Sequence, residues 1–445
     1  MIDRLLSGKR VLLGITGGIA AYKAADLCSK LVQAGAQVDV IMTEAATRFV
    51  APLTFSALSG RPARVDMWSE PGGQPIPHVQ MAAATDLVIV APLSANTLAK
   101  LALGLADNLL TATLLATPIQ RPPSSPQAEG SSPRREGVPW ILAPAMESHM
   151  WESPTTQAHA TALRARGAVI VGPGVGRLAS GAEGVGRMAE PAEIIAAARS
   201  ALAWHGPLAG RRVLITAGGT QEPLDPVRFL TNASSGKMGV ALAEAARDLG
   251  ATVTLVHAPL RVPLPYGVEA VPVRTALAMR DAVLGRLAQT DALVAAAAVA
   301  DFRPAEVAAQ KIKKEPGQEE LTLRLVRNPD ILAEVAAQRA ATGQPKVVVG
   351  FAAETHDLLA NAVAKLVAKR LDLIVANDVT EPGSGFGADT NRVTLLYRDG
   401  RQEALPLLSK AEVAWRVMEA VAGWLHPLAE AQTQRGRGGG PGRQF

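Results

Sequence analysis

Two stretches of the chain echo one another: Gly8-Lys-Arg-Val-Leu-Leu-Gly-Ile-Thr-Gly-Gly18 and Gly210-Arg-Arg-Val-Leu-Ile-Thr-Ala-Gly-Gly219. Each is a basic pair, a short apolar run and a glycine turn. The first strand of a nucleotide-binding α/β domain begins in this way. Two such openings imply two α/β domains. Working outward from the first, residues 10–16, 37–43, 86–91, 140–143 and 169–171 read as apolar strands with helical segments between them. Outward from the second, strands are expected at 213–216, 252–256, 292–296, 347–350 and 373–376. Residues 320–326 and 392–397 alternate and read as added antiparallel strands. Buried apolar strands alternating with helices indicate parallel sheets covered on both faces. The boundary is expected at Ala203–Ala209, where Trp-His-Gly-Pro-Leu breaks a helix. We therefore read domains at 1–203 and 207–426. A Pro/Ser/Gln-rich insertion at about 117–138 and the Gly/Arg tail at 427–445 are expected to be disordered.

The 445 residues are 48% hydrophobic and 19% charged, which is the balance of a soluble globular protein. The net charge is +5, and the tail, with Arg435, Arg437 and Arg443 against Glu430, supplies two of those charges. The folded part is then nearly neutral, which argues against nucleic acid as a partner. A single cysteine, Cys28, excludes an internal disulfide and a Cys-based zinc cluster. The apolar runs are short and interrupted, so no membrane span is expected. The chemistry fits a cytoplasmic enzyme.

The most specific string is Arg228-Phe-Leu-Thr-Asn-Ala-Ser-Ser-Gly-Lys-Met-Gly239, a small-residue loop running into a helix. A helix N-terminus of that kind suits a phosphate. Lys311-Ile-Lys-Lys314 adds a cation cluster. Around them stand Ala217-Gly-Gly-Thr-Gln-Glu-Pro-Leu-Asp-Pro-Val-Arg228, Ala295-Ala-Ala-Ala-Val-Ala-Asp301, Asn328-Pro-Asp-Ile331, Gly350-Phe-Ala-Ala-Glu-Thr355 and Ala376-Asn-Asp378. Taken together, in this order, they closely resemble the phosphopantothenate–cysteine ligases. That resemblance implies a Rossmann-like domain in which CTP activates 4'-phosphopantothenate as an acyl-cytidylate, which the amine of cysteine then attacks. It implies that Asn232 binds the acyl intermediate and Lys311 contacts the triphosphate, with Lys365 and Lys369 converging from one helix face. Ala295, Ala296, Ala297, Asp301, Asn328, Pro329, Asp330, Ile331 and Phe351 would shape the nucleotide pocket. Arg228, Ser234, Ser235 and Gly236 would meet substrate or a phosphate. Mg2+ would bridge phosphates without a dedicated protein cage.

In the first half, Gly14-Ile-Thr-Gly-Gly-Ile-Ala20, Met42-Thr-Glu-Ala-Ala46, Ala91-Pro-Leu-Ser-Ala-Asn-Thr97 and Ala143-Pro-Ala-Met146 fall at strand ends. They resemble the flavin-binding cysteine decarboxylases, and the half as a whole resembles phosphopantothenoylcysteine decarboxylase. The resemblance implies a flavodoxin-like domain binding FMN through Gly17, Gly18, Thr43, Ser94 and Asn96, with His78 catalytic and Met146 at the substrate. Two departures stand out. The family's Pro-Ala-Met-Asn reads Pro144-Ala-Met-Glu147 here, and its Ala-Cys-Gly lid reads Ala179-Ser-Gly181. Glu147 puts an acidic side chain where the resemblance implies an asparagine that orients the substrate carboxylate, and Ser180 is a far weaker acid than a thiol. Cys28, in the expected first helix, reads as a small buried side chain. Two outcomes stay open: a working variant decarboxylase, or an active ligase fused to a silent or regulatory flavin module. The family suggests a homo-oligomer acting on small molecules.

Overall fold

The run Val11–Ile15 has no polar side of its own and needs cover on both faces. The computed structural model describes residues 3–68, 77–122, 137–313, 319–354, 357–378, 383–385 and 387–425. The tail, Lys314, Thr355 and residues 123–136 of the insertion lie outside those described residues. The chain divides into two units, Met1–His205 and Gly206–Phe445.

In the first unit, β1 (Arg10–Ile15), β2 (Gln37–Met42), β3 (Leu87–Leu93), β4 (Trp140–Pro144) and β5 (Val169–Ile170) are parallel, in the order β2-β1-β3-β4-β5. This is the flavodoxin-like order, whose switch point lies between β1 and β3. All seven residues of β3 are buried, as expected of a central strand with helices on both sides. A hairpin, β6 (Gly174–Arg177) with β7 (Glu183–Arg187), follows the sheet.

The second unit runs β8 (Arg212–Ala217), β9 (Gln221–Pro223), β10 (Phe229–Thr231), β11 (Thr252–His257), β12 (Glu269–Pro272), β13 (Ala292–Ala295), β14 (Phe302–Pro304), β15 (Leu325–Arg327), β16 (Val347–Glu354), β17 (Leu373–Asp378), β18 (Thr390–Asn391), β19 (Thr394–Tyr397), β20 (Gln402–Ala404) and β21 (Leu408–Ser409). Its main sheet has the order β12-β11-β8-β13-β16-β17-β19-β20. The first six of these strands are parallel, in the doubly wound dinucleotide-fold order. β19 and β20 close the edge antiparallel. The alternation along β8 divides the core. Val213 and Ile215 pack with Leu242 and Ala246 of helix Lys237–Asp248 and with Val417 and Val421 of helix Lys410–Leu425. Leu214 packs on the other face with Met279, Val283 and Leu293. Each fully buried Leu or Val of this kind contributes roughly 1.5–3 kcal/mol.

The sequence echo is also a structural one. The backbone N–H of Arg10 donates to Asp86 Oδ2 at 2.9 Å, and that of Arg212 donates to Asp291 Oδ2 at 2.9 Å. Helix Ala21–Gln33 ends with Gly35 at φ +92° and Ala36 N–H donating to Leu31 O. Helix Lys237–Asp248 ends the same way, with Gly250 at φ +97° and Ala251 N–H donating to Ala246 O. Both are Schellman stops, which need a left-handed residue after the helix.

Two expectations change. Residues 320–326 do not form a strand of their own. Only Leu325–Arg327 does, paired antiparallel with Phe302–Pro304, while Leu321 and Leu323 are exposed. An alternating run with no face to bury against gains nothing from extending. The insertion has ordered shoulders: Val138 N–H donates to Pro118 O, and Gln120 N–H to Val138 O, both at 2.9 Å.

Candidate functional site

In the first unit a cavity of about 590 Å3 opens at the C-terminal ends of β1, β3 and β4. Gly17, Gly18, Ser94, Met146 and Glu147 line it. Thr16 holds the switch point together: its hydroxyl donates to Pro92 O at 2.7 Å and accepts Ser94 N–H at 2.8 Å. Glycine is required at Gly17, where a Cβ would stand 2.6 Å from Ala45 Cβ. At Gly18 a Cβ would meet nothing within 4 Å, so the backbone is open to a ligand. The β6–β7 hairpin is seated on the β4 loop. Met146 N–H donates to Gly186 O at 3.0 Å, and a Cβ at Gly186 would fall 2.2 Å from Met146 O. The hairpin tip brings Ser180 to Glu147, with Ser180 Oγ donating to Glu147 Oε2 at 3.0 Å. The two departures noted in the sequence are therefore partners. Arg177, Arg187 and Lys23, which the sequence did not single out, also line the cavity.

His78, Thr43 and Asn96 are not brought into that lining. Thr43 caps the short helix Glu44–Thr47 through Ala46 N–H. Asn96 is exposed in the first turn of helix Ala95–Leu103. His78 begins helix Pro77–Ala84, with Nδ1 buried and without a hydrogen bond among the described residues. Cys28 is fully buried, and burial pushes its thiol up to about 11. It stays protonated and inert in the core.

In the second unit two cavities, of about 570 and 220 Å3, share Ala297, Val299, Asp301, Phe351 and Lys365, forming one cleft with two lobes. The larger lobe is lined by Asn232, Ser234, Ser235, Gly236, Ala296, Lys237, Asn377, Asn391 and Lys410. The smaller is lined by Ala295, Asn328, Pro329, Asp330, Ile331 and Lys369. The cleft lies at the switch point between β8 and β13. There Thr216 Oγ1 accepts Ala297 N–H at 3.1 Å, as Thr16 does in the first unit with Ser94. Asn232 Nδ2 donates to Ala298 O and Val299 O at 3.3 Å, which fixes its carboxamide. Lys365 Nζ donates to Phe351 O at 2.9 Å where the lobes meet. Asp330 caps helix Ile331–Thr342 and pairs with Lys369. Burial, and then Arg327, lower the Lys369 pKa. Close packing makes the floor: a Cβ at Gly239 would lie 2.4 Å from Ala217 Cβ.

Lys311 and Arg228 stand outside the cleft lining, on exposed surface. Arg228 donates to Ile312 O and pairs with Asp225 at 3.1 Å. Asp225 is buried and accepts backbone N–H bonds from Val227, Arg228 and Ile312. Burial alone would raise its pKa; the three N–H bonds and Arg228 outweigh that and hold it below the ordinary value. Asp225 thus ties the Lys311 loop to the loop that leads to Asn232. Asn377, from the quoted Ala376-Asn-Asp378, joins the lining, whereas Lys237, Lys410 and Asn391 were not singled out. Lys237 lies inside the quoted string, but nothing local marks Lys410, which starts the last helix. Among the described residues no group of three or more His, Cys, Asp or Glu could hold a metal, and no helix is long and apolar enough to cross a membrane.

The folds and clefts define a two-domain enzyme, a flavodoxin-like unit followed by a Rossmann-like unit, each with a cleft at its switch point. A family model described as Flavoprotein matches residues 2–202, and one described as DNA/pantothenate metabolism flavoprotein C-terminal domain matches residues 208–425. The Coenzyme A biosynthesis bifunctional protein CoaBC of Bacillus subtilis (strain 168) is 45% identical over 421 residues, covering 94% of this chain and 98% of that protein. The protein of the same description from Mycobacterium tuberculosis (strain H37Rv) is 44% identical over 438 residues, covering 96% and 99%. A crystal structure of the C-terminal domain of a CoaBC protein is 39% identical, covering 49% of this chain and 98% of its own, at a TM-score of 0.42. The chain belongs to the family of coenzyme A biosynthesis bifunctional proteins, enzymes that join a ligase and a decarboxylase in one polypeptide.

Proposed function

We propose that residues 207–426 ligate 4'-phosphopantothenate to cysteine at the expense of CTP. We further propose that residues 1–203 decarboxylate the phosphopantothenoylcysteine so formed to 4'-phosphopantetheine with FMN. The observation that carries the ligase reading is the two-lobed cleft, in which Asn232 and the alanine, Asn328–Ile331, Phe351 and Lys365 segments converge. Ala295, Asn328–Ile331 and Lys369 of the smaller lobe would hold the nucleotide, and Mg2+ would arrive with its triphosphate rather than on a protein cage. Lys365, at the junction, offsets charge that grows on the transferring phosphoryl and acyl oxygens. Asn232, oriented by two carbonyls, donates to the acyl oxygen. Lys311 reaches the triphosphate from its exposed loop.

The flavin cavity fits FMN by its size, its open Gly18 backbone and its place at a β1/β3 switch point. When bound, the flavin supplies the oxidation and re-reduction of the thiol-bearing carbon that makes loss of CO2 feasible. The protein's part is to bind, orient and move protons. Ser180 satisfies one oxygen of Glu147, while Arg177 and Arg187, the latter paired with Glu190, bring positive charge to the cavity lining for an anionic substrate. His78 exchanges the proton. Because His78 stands outside the cavity lining while Ile19, Tyr22 and Met150 expose apolar surface at its rim, the site is completed in a homo-oligomer. The same position of His78 is what favours the second reading, a silent flavin module. The ligase reading is tested on a chain starting at Gly206. It should release pyrophosphate from CTP when given phosphopantothenate, and cysteine should complete the amide. A folded fragment without activity beside an active full chain would refute the division of labour.

A further inference from the structure

Another cavity of the second unit lies away from the cleft. It has about 500 Å3 and shares no lining residue with either lobe. Its walls are apolar: Ala336 and Ala340 of helix Ile331–Thr342, Leu366 and Val367 of helix Leu358–Ala368, and Leu371. Its charge comes from Arg339, Arg370 and Arg398 around a single carboxylate, Asp372. Asp372 is buried at the start of β17 and fully engaged. Its Oδ2 accepts Val348 N–H at 2.8 Å and pairs with Arg339 at 2.9 Å, and its Oδ1 pairs with Arg398 at 2.7 Å. Arg339 also donates to Arg370 O at 3.2 Å. The Arg370 guanidinium itself has no hydrogen bond or ion pair among the described residues. Arg370 is strained as well. It follows its helix at φ +50°, and Leu371 N–H donates to Leu366 O at 3.0 Å. Elsewhere the same backbone stop places Gly35, Gly167 and Gly250 at the left-handed position. A side chain is disfavoured there, so the arginine points to a function of its guanidinium.

We propose that this cavity binds a small phosphate monoester carrying an apolar substituent. The inference stands apart from the ligase reading. Charge selects the anion. Three guanidinium groups against one carboxylate leave an excess of two positive charges, and a phosphomonoester carries about −1.5 to −2 at pH 7. A carboxylate ligand would balance only half of that excess. Arginine forks match phosphate oxygens. Arg370 brings a free one, and Arg398, which is exposed, gives only one of its N–H nitrogens to Asp372. An anion between them also relieves the repulsion among the three cations. The walls select the rest of the ligand: alanine, valine and leucine side chains cover a short hydrocarbon or aromatic group and offer nothing to a hydrated one. Place separates the cavity from catalysis. Asp372 and Val348 mark the N-terminal ends of β17 and β16, whereas the cleft gathers the C-terminal ends. The lining carries no His, Cys, Ser, Thr or Lys, so the ligand is held rather than transformed.

The test uses the full chain, with phenyl phosphate as the probe and inorganic phosphate as its polar half, titrated by calorimetry. The wild type should bind phenyl phosphate about tenfold or more tighter than inorganic phosphate, the gain from covering the ring. Arg370→Gly should hold or raise Tm without ligand, because glycine suits the left-handed position. It should nevertheless weaken phenyl phosphate binding about tenfold or more, the loss of one charge-assisted contact. Arg398→Gln should weaken it likewise. Equal binding by the wild type and Arg370→Gly would place the probe in the cleft or the flavin cavity and overturn the inference. Inorganic phosphate binding as tightly as phenyl phosphate would also overturn it. If Arg370→Gly loses stability instead, Arg398→Gln decides, and unweakened binding there overturns the inference. A changed sedimentation of ligand-free Arg370→Gly would mark the cavity as an interface between copies and overturn it too.

Discussion

The two clefts begin alike and end differently. Both sit at the switch point of a parallel sheet. Both are framed by a first strand anchored at its start by an aspartate, Asp86 or Asp291, and tied at its end by a threonine, Thr16 or Thr216. In the ligase unit the distant motifs then converge, and most of the residues expected from the sequence line one cleft. In the flavin unit they divide: the glycine turn, Ser94, Met146 and Glu147 line the cavity, while His78, Thr43 and Asn96 do not. Strand-end loops are placed by the sheet itself, but a strand-end residue taken into the helix that follows need not line the cavity, as Thr43, which caps Glu44–Thr47, and Asn96, in the first turn of Ala95–Leu103, show. A side chain on a helix away from the strand ends, such as His78, has no such placement.

The largest effect expected from this comparison is at the ligase junction. Lys365→Gln should lower ligase turnover by about 10²–10³-fold, with decarboxylation of supplied phosphopantothenoylcysteine intact. Steady-state rates of both reactions on one preparation check it. Lys311→Gln should also lower turnover with little change in Tm, since an exposed loop lysine contributes little to folding. Unaltered kinetics would take Lys311 out of the site.

Backbone closeness gives the next effect, and it separates the units. Gly186→Ala places a Cβ against Met146 O, and Gly239→Ala places one against Ala217. Each should cost roughly 1–3 kcal/mol by overpacking. The first should lower bound flavin while sparing ligation, and the second should do the reverse. Flavin absorbance and pyrophosphate release report the two. Loss of both activities in either variant would contradict independent sites.

A smaller effect is expected at Ser180. A hydroxyl is a poor proton donor, so the wild type should release some oxidised enethiol product, and Ser180→Cys should shift the yield several-fold toward phosphopantetheine. Mass spectrometry of products measures it, and an unchanged ratio would remove Ser180 from proton transfer. The smallest effect is a pH dependence in the ligase unit. Asp225 has a folded pKa below the ordinary carboxylate value, so its contribution is present above about pH 4, the unfolded value, and is lost as pH falls through the folded one. Asp225→Asn should therefore lower Tm at neutral pH and shrink that difference in acid.

Much of the fold was legible, because buried parallel strands advertise themselves as apolar runs. β12 was not: Glu269–Pro272 is an edge strand with three of its four residues exposed, and such a strand carries almost no hydrophobic signal. The β6–β7 hairpin was hidden for a related reason. Its glycines, Gly184 and Gly186, serve close approach to Ser148 and Met146 rather than any strand preference. The ligase motifs were legible because each is a run of neighbours. Lys410 and Asn391 were not, because only the folded sheet brings them to Lys237.

The central claim is that both units of this chain catalyse. The most direct test is one full-length preparation, assayed for bound FMN, for CTP-dependent pyrophosphate release and for CO2 from phosphopantothenoylcysteine. The account expects a yellow protein that does both, and a His78→Asn variant that keeps its flavin and its pyrophosphate release but yields no CO2. A flavin-loaded wild-type chain that releases pyrophosphate but no CO2 would contradict it, leaving the first unit a scaffold around a working ligase.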